Sequence, residues 1–269
     1  MITPAVPAPN PPLVLIFGPF DPSGSSSLPA DAVTCASLGC HPLAALTATL
    51  VQDTAGIEDI QPLSAELIDD QARCLLEDMN VQAIKVGPVY TPEAVSVLAQ
   101  IAADYNHVPL VLHLAPTPDE SLLQDLDAET LQLAILDLLL PQTDIVVADH
   151  HLLEQWDAQG VLAHAGTPAQ SLLQYGATWV LSTGAPLRPG HGSHLLQGPG
   201  NETASWSWQP PATRLADPDG PLACAITAQL ALGRTVPQAV EAAIAAAAPL
   251  ATRTFQPGMG QRLINRSAP

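Results

Sequence analysis

Positive charge is what this sequence has least of. Of 269 residues only 8 are Lys or Arg, against 26 Asp or Glu, giving a formal net charge of −18, and Lys85 is the only lysine. A surface this acidic repels the phosphates of nucleic acid and the anionic face of membranes, which argues against both as partners. Charged residues of either sign make up only 13%, while 47% are hydrophobic, so the chain can bury enough apolar surface to offset its conformational entropy and disorder is excluded. Cysteine is limited to Cys35, Cys40, Cys74 and Cys224, with no CxxC pair and no His/Cys cluster at zinc-site spacing. Reduced thiols, mostly in the core, are expected. A long apolar run is missing as well: Ala239 to Leu250 is too short to span a bilayer and carries Glu241 and Pro249. Met1 to Pro12 holds five prolines and no basic stretch, unlike a secretory signal. It reads as a Pro-rich extension, residues 1–12, ahead of a single domain over residues 13–266, and these absences together predict a cytoplasmic protein.

What is present alternates. Leu13 to Phe17 is a short continuous apolar run that meets a Gly-, Ser- and Pro-rich segment, Gly18 to Ser27, as a buried strand feeding a loop would. Asp31 to Leu38 reads as a helix stopped by Gly39, and His41 to Val51 as a further apolar segment ending at Gln52-Asp53-Thr54. Helical spacing over Ser64 to Met79 precedes a compact strand, Ala83 to Gly87; Pro92 to Tyr105 predicts a helix and Val108 to Leu112 the next strand. Leu122 to Leu140, Ile145 to Ala148, Pro168 to Tyr175 and Trp179 to Leu181 repeat the alternation. Pro186 to Pro211 reads as irregular, with Trp206-Ser207-Trp208 as an edge strand, and helices over Pro221 to Leu232 and Val236 to Thr254 finish the fold. Strands alternating with helices imply parallel crossovers and a three-layer α/β/α sandwich around a mostly parallel sheet, with ligands at the carboxyl ends of the strands.

Three ordered motifs carry a resemblance. Asp21-Pro22-Ser23-Gly24, continuing without a gap to Ala30-Asp31, resembles the pattern Asp-Pro-Ser-Gly-Gly-Ala-Gly-Ile-Gln-Ala-Asp of the hydroxymethylpyrimidine (phosphate) kinases of thiamine biosynthesis. Thr47 to Thr54 is similar to that family's Thr-Ala-x-Thr-x-Gln-Asn-Thr segment, and Ile84-Lys85-Val86-Gly87 to its Ile-Lys-Ile-Gly. The resemblance implies a ribokinase-like fold, ATP and Mg²⁺ as the phosphoryl-transfer partners, an aminopyrimidine substrate and a homodimer. It also implies that Asp31 and Gln52 contact the aminopyrimidine while Gly87 shapes the pocket. An aminopyrimidine presents ring nitrogens and an exocyclic amine that demand paired donors and acceptors, which suits such residues. From the residues alone, Asp31 equally reads as a first-turn helix acid, Gln52 as a turn residue, and Lys85 as a snorkelling surface cation. The family's Gly-Ala-Gly-Ile-Gln is replaced by Ser25-Ser26-Ser27-Leu28-Pro29, which removes backbone freedom.

The phosphoryl-transfer half departs further. Such a site needs backbone N–H groups converging at a helix start to hold the migrating charge. The family supplies them with a Gly-Thr/Ser-Gly-Cys turn, which falls without gaps on Asp217-Pro218-Asp219-Gly220. An alternative register sets Cys224 on the family cysteine and Pro221-Leu222-Ala223 on the glycine turn. Asp219 and Gly220 are the catalytic candidates, Asp219 as a base or, equally, as a helix N-cap. On the nucleotide side the family's Asp-Pro becomes His113-Leu114, its Pro-Asn-x-x-Glu becomes Ala148-Asp149-x-x-Leu152, and its Lys-Gly-Gly-His becomes Ser182-Thr183-Gly184-Ala185. Ser182 and Gly184 are then the nucleotide-binding candidates, with Arg188 either replacing the lost lysine charge or simply solvated. Asp149-His150-His151 with Glu154 reads as a polar helix start rather than a metal site, because no third ligand follows from the spacing; His191 and His194 are read the same way, as loop residues. Two functions follow from this: an ATP-dependent pyrimidine kinase, or a catalytically inert relative that keeps the fold and a pyrimidine pocket.

Overall fold

The computed structural model describes residues 10–122, 127–162, 166–210 and 215–267. Residues 1–9 of the Pro-rich extension and 123–126 of the helix expected over Leu122 to Leu140 lie outside them. In chain order the elements are β1 (Leu13–Phe20), α1 (Ser27–Ser37), β2 (His41–Gln52), β3 (Ile57–Pro62), α2 (Ala65–Asp78), β4 (Val81–Val86), α3 (Pro92–Asp104) and β5 (Leu110–Leu114). There follow α4 (Ala128–Ala134), running on as a π-helical turn over Ile135–Leu139, then β6 (Ile145–Asp149), α5 (His150–Ala158), α6 (Pro168–Gln174), β7 (Trp179–Arg188), β8 (His191–Gln197) and β9 (Thr203–Trp208). Helices α7 (Gly220–Ala231) and α8 (Val236–Thr252) and the small hairpin β10 (Thr254–Phe255) and β11 (Leu263–Ile264) complete the chain.

One nine-stranded sheet runs in the order β3-β2-β1-β4-β5-β6-β7-β8-β9. Its six central strands, β2 through β7, are parallel, and β3, β8 and β9 are antiparallel additions at the two edges. Because side chains alternate across a strand, Leu15 and Phe17 of β1 join the core under α2 to α6, while Val14 and Ile16 join the core under α1, α7 and α8. The central strands are therefore buried on both faces, as parallel sheets covered by crossover helices must be. Helix α7 lies inside this second layer, packed against α1, α8 and the sheet, with all twelve of its residues buried. Its apolar character on every side suits a helix with no solvent face.

The structure moves several expected boundaries. Helix α1 begins at Ser27 rather than Asp31 because Pro29 sits in its first turn, where a missing N–H costs nothing. The segment read as irregular from Pro186 is instead a β-meander: Gly190, at φ +76, closes the β7–β8 turn, and Trp206-Ser207-Trp208 forms the outer strand as expected. Glycine and proline at the turns concealed that strand pattern. The hairpin over residues 254–264 was not foreseen at all.

The serines of the first loop are accommodated at some cost. Asp21, fully buried, accepts from Ser23 N (2.8 Å), Ser23 Oγ (2.7 Å), Ser25 Oγ (2.6 Å), Ser26 N (2.9 Å) and Ser26 Oγ (3.0 Å). This wrap replaces the conformational freedom of glycine with side-chain hydrogen bonds. Ser27, however, sits at φ +54, in the left-handed region. That conformation costs a non-glycine residue roughly 1–2 kcal/mol. We predict that Ser27→Gly raises stability by roughly 0.5–1 kcal/mol once the freer unfolded chain is allowed for, read as a higher urea midpoint. A lowered midpoint would show that the serine makes an interaction worth more than its strain.

Candidate active site at the strand ends

At the switch point between β1 and β4, neighbouring connections leave the sheet in opposite directions and open a crevice beyond the carboxyl ends of the strands. A cleft of about 930 Å³ lies there. One half is lined by Ser26 and Ser27 of the first loop, Leu50 and Gln52 at the end of β2, Tyr90 after β4, and His113 on β5. The other half is lined by Asp149 at the end of β6, Thr183 and Gly184 on β7, Trp208 of β9, and Asp217 to Asp219 ahead of α7. Among the described residues, four carboxylates, those of Asp53, Asp149, Asp217 and Asp219, border the cleft and no Lys or Arg lines it.

The sequence-derived candidates separate accordingly. Gln52, Gly184 and Asp219 line the cleft. Gln52 Nε2 donates to Ser25 Oγ at 3.3 Å, tying the β2 end to the serine loop. Gly87 adjoins only a narrow crevice beneath; its N–H donates to Phe17 O at 2.8 Å, and an added Cβ would sit 3.3 Å from that carbonyl, so close strand approach demands glycine here. Ser182 is buried within β7, one residue short of the cleft. Arg188 is carried by the β7–β8 hairpin to its exposed end, a solvated position rather than a replacement for the family lysine.

Asp31 and Lys85 correct the default reading of each. Lys85 Nζ lies 2.6 Å from Asp31 Oδ2, with side-chain exposures of 1% and 3%. A snorkelling cation needs a wet strand end, and β4, covered on both faces, offers none. Burial opposes the Lys85 charge, but Asp31, with Cys224 and Asp217 nearby, outweighs it and holds the ammonium above its ordinary range. Burial raises the Asp31 carboxyl while Lys85 pulls it down, so the two titrate as a pair. Cys224, in the second turn of α7, is fully buried with Sγ 3.3 Å from Asp31 O, and burial raises its thiol far above the usual range. That is the core role its composition suggested.

The start of α7 is the second correction. Asp219 occupies the N-cap position but makes no capping bond, because its backbone is already helical at φ −101, ψ −21. The cap comes from two residues earlier: Asp217 Oδ1 accepts from Gly220 N at 2.8 Å. Pro221 has no N–H, so two of the amide donors this turn could aim at an anion, those of residues 220 and 221, are not free. Asp219 is half-buried, and burial pushes its carboxyl up to about 7, Thr183 pulling the other way and Asp149 and Asp217 adding to the rise. On β7 the Gly184 N–H is likewise engaged, donating to His194 Nδ1 at 3.3 Å. Burial keeps His194 neutral, its pKa down at about 4. So His194 belongs to the site's framework rather than to a loop.

At the start of α5, Asp149 Oδ1 accepts from His151 N (2.8 Å) and Leu152 N (3.3 Å), the N-cap its sequence promised. His150 and Glu154 pair at 3.2 Å. Among the described residues no group of three or more His, Cys, Asp or Glu side chains is placed to hold a metal ion.

Sequence reasoning missed the C-terminal contribution. Arg266 donates through Nε to Thr34 Oγ1 (3.2 Å) and through Nη2 to Ser25 O (3.2 Å), and its charge faces Asp217, Asp31 and Asp21. Gly260 N donates to Thr54 Oγ1 at 3.1 Å and Gln261 N to Thr54 O at 2.6 Å; a Cβ on Gly260 would lie 1.9 Å from that carbonyl. No local pattern marks these residues, because their partners lie more than 200 positions away.

Comparison with known proteins agrees with this geometry. The phosphomethylpyrimidine kinase family profile matches residues 21–265. The hydroxymethylpyrimidine/phosphomethylpyrimidine kinase of Mycobacterium tuberculosis is 33% identical over 255 residues, covering 88% of this chain and 87% of that protein. Its counterpart from Streptomyces coelicolor is 29% identical over 249 residues, covering 90% and 89%. Among solved structures, an ADP complex of Bacillus subtilis pyridoxal kinase superposes with a TM-score of 0.80 at 18% identity, covering 96% of this chain and 98% of that one. Phosphomethylpyrimidine kinase from Clostridium difficile superposes at 0.68 with 24% identity, covering 87% and 96%. The fold is thus the ribokinase-like α/β/α sandwich that the motifs implied, and the chain belongs to the phosphomethylpyrimidine kinase family.

Proposed function

We propose that this chain keeps the aminopyrimidine half of its family's cleft and has lost efficient phosphoryl transfer, acting as a pyrimidine-binding relative of the thiamine-biosynthesis kinases. Gln52 is the proposed ring contact, with Asp31 as a positioning group held by Lys85 and Gly87 keeping the floor thin. The observation that carries the reading is the Gly220 N–H, which is satisfied by the Asp217 carboxylate. A transferred phosphoryl group needs that donor, and it needs cations beside it. Here an internal anion holds the donor, and carboxylates border the cleft where phosphates would lie. Carboxylates such as these suit Mg²⁺; the proposed mismatch is confined to the migrating phosphoryl group, which loses the Gly220 N–H.

One observation favours the alternative, an active kinase: a carboxyl raised to about 7 at Asp219 is suited to accept a proton from an attacking hydroxyl. A coupled ADP-release assay separates the two. With hydroxymethylpyrimidine or its monophosphate the expected rate equals the protein-free blank, while calorimetry detects hydroxymethylpyrimidine binding that Gln52→Ala abolishes. Turnover by the unmodified protein that disappears in Asp219→Asn would establish the kinase instead.

A further inference from the structure

Outside the cleft, four large apolar side chains stand exposed at one corner of the molecule: Phe20 (47%), Val51 (51%), Phe255 (45%) and Met259 (104%). Phe20 pairs with Thr49 in the β1–β2 register, and side chains alternate along a strand, so Phe20, Thr49 and Val51 point to the same side of the sheet. Val14 and Ile16 of β1 turn to that side too, under α1, α7 and α8, but Phe20, Thr49 and Val51 are left in water. The C-terminal hairpin follows α8 in the same layer. Beside it lies a groove of about 540 Å³, walled by Pro22 and Ser23 after β1, Asp53 and Ala55 of the β2–β3 turn, and Phe255 and Met259 of the hairpin. Met259, between Gly258 and Gly260, packs against nothing in its own chain, and its unbranched thioether is suited to filling an irregular gap. An apolar cluster rimmed by charge marks an interaction surface.

Charge decides what can cover this face. A chain of net charge −18 repels other acidic surfaces, copies of itself included. Here the local balance differs. Residues 252–267 hold Arg253, Arg262 and Arg266 and no Asp or Glu, whereas β2, β3 and their turn hold Asp53, Glu58 and Asp59 and no Lys or Arg. Among the described residues, Arg262 donates to neutral oxygens of Thr254 (Nε to Oγ1 at 3.0 Å, Nη2 to O at 2.9 Å), and the Asp53 carboxylate accepts from the N–H groups of Ala55 (2.7 Å) and Gly56 (3.2 Å). Each charge therefore lacks an ion-pair partner within its own chain. Opposite charges side by side and unpaired on one face suit a two-fold axis, since rotation sets the cationic hairpin of each copy against the acidic turn of the other. The apolar part is self-complementary in the same sense, with Met259 standing beside a groove that its counterpart can fill.

We infer that this face joins two copies of the chain about a two-fold axis, the Met259 side chain of each entering the groove of the other and the C-terminal arginines facing the acidic β2–β3 turn across the axis. The groove shares Gln52, Asp53 and Thr54 with the cleft, so a docked copy braces the wall that carries Gln52. The inference does not depend on which ligand the cleft takes or on whether phosphate is transferred.

Sedimentation equilibrium of the full chain tests this. Over a range of about 1 to 200 µM the mass should rise from 28.0 kDa to twice that value and stop there. Met259→Asp and Phe255→Asp should each weaken pairing at least tenfold, as loss of a central apolar anchor does. Glu58→Lys should weaken it several-fold even though it lowers the overall repulsion, while Leu138→Asp, at an apolar site 43% exposed on the π-helical turn, should leave it unchanged. Far-UV circular dichroism at the dilute end of the range controls for folding, and the Met259→Asp spectrum should match the parent. A monomer at the top of the range would overturn the inference, whether the face is then covered by the chain's own residues 1–9 or by another protein. So would a dimer indifferent to both Met259→Asp and Phe255→Asp, which would put the contact elsewhere. A mass that climbs past two chains would mean head-to-tail association and would overturn the two-fold.

Discussion

Lys85→Met is expected to destabilise the protein by roughly 3–5 kcal/mol, the loss that follows when one partner is removed from a buried ion pair and the other charge is stranded. For a domain of this size that corresponds to a fall in Tm of roughly 6–20 °C. Asp31→Leu should cost a similar amount, leaving an ammonium with no acceptor inside the sheet. The double variant Lys85→Met/Asp31→Leu should recover most of the loss, since removing both charges also removes their desolvation cost. Urea melts of the four proteins supply the cycle. Single variants within 1 kcal/mol of the parent would mean that the pair is solvated and that its 2.6 Å contact contributes little.

Asp217→Asn/Asp219→Asn should convert the acidic corner into one that tolerates phosphate, strengthening ADP binding by roughly tenfold to a hundredfold. A unit charge 4 Å away is worth about 4 kcal/mol at an effective dielectric of 20, and half-exposed groups deliver only part of that. Asparagine at 217 can still accept from Gly220 N, so the helix cap survives. In the parent protein the same change should be reachable by acid. The groups acting on Asp219 are Thr183 on β7, Asp149 on β6 and Asp217, while His113 on β5 and His151 on α5 line the same cleft. With its carboxyl at about 7, Asp219 gains its proton as pH falls from 8 to 6, and ADP affinity should rise over that window. Asp219→Asn should abolish that slope; an unchanged slope would place the titrating group elsewhere. The sign for stability follows from the same proton. The folded value lies above the ordinary 3.8, so the native state holds the proton more tightly. Its stabilising contribution is complete below about pH 4 and is lost as pH rises to about 7.

Much of this architecture is legible in the sequence because it depends on local periodicity. Leu13 to Phe17, Ile84 to Gly87 and Ile145 to Ala148 are unbroken apolar runs, and runs of that length between helical segments admit few readings other than central parallel strands. The β7–β9 meander is hidden because its turns are built from Gly and Pro, residues that also mark irregular chain. Within the site, Gln52 could be placed from its motif, whereas Lys85 could not be placed by residue type. A lone lysine is expected in water, and only the covering of β4 by helices on both faces puts it inside. Asp217 illustrates a finer limit. Both aspartates before Gly220 are plausible caps from composition, and the choice between them turns on the helical backbone of Asp219, a property set by its neighbours in space. Arg266 had no signal, since its partners Ser25 and Thr34 belong to the opposite end of the chain.

That opposite end has a consequence for how the protein comes into being. The first loop and the β2–β3 turn are fastened by Gln261 and Arg266, which are made after every strand of the sheet. Chains emerge from the ribosome with N-terminal segments folding first. A nascent polypeptide would therefore assemble its sheet well before the mouth of the cleft is fastened, which happens only when residues 260–266 thread back across it.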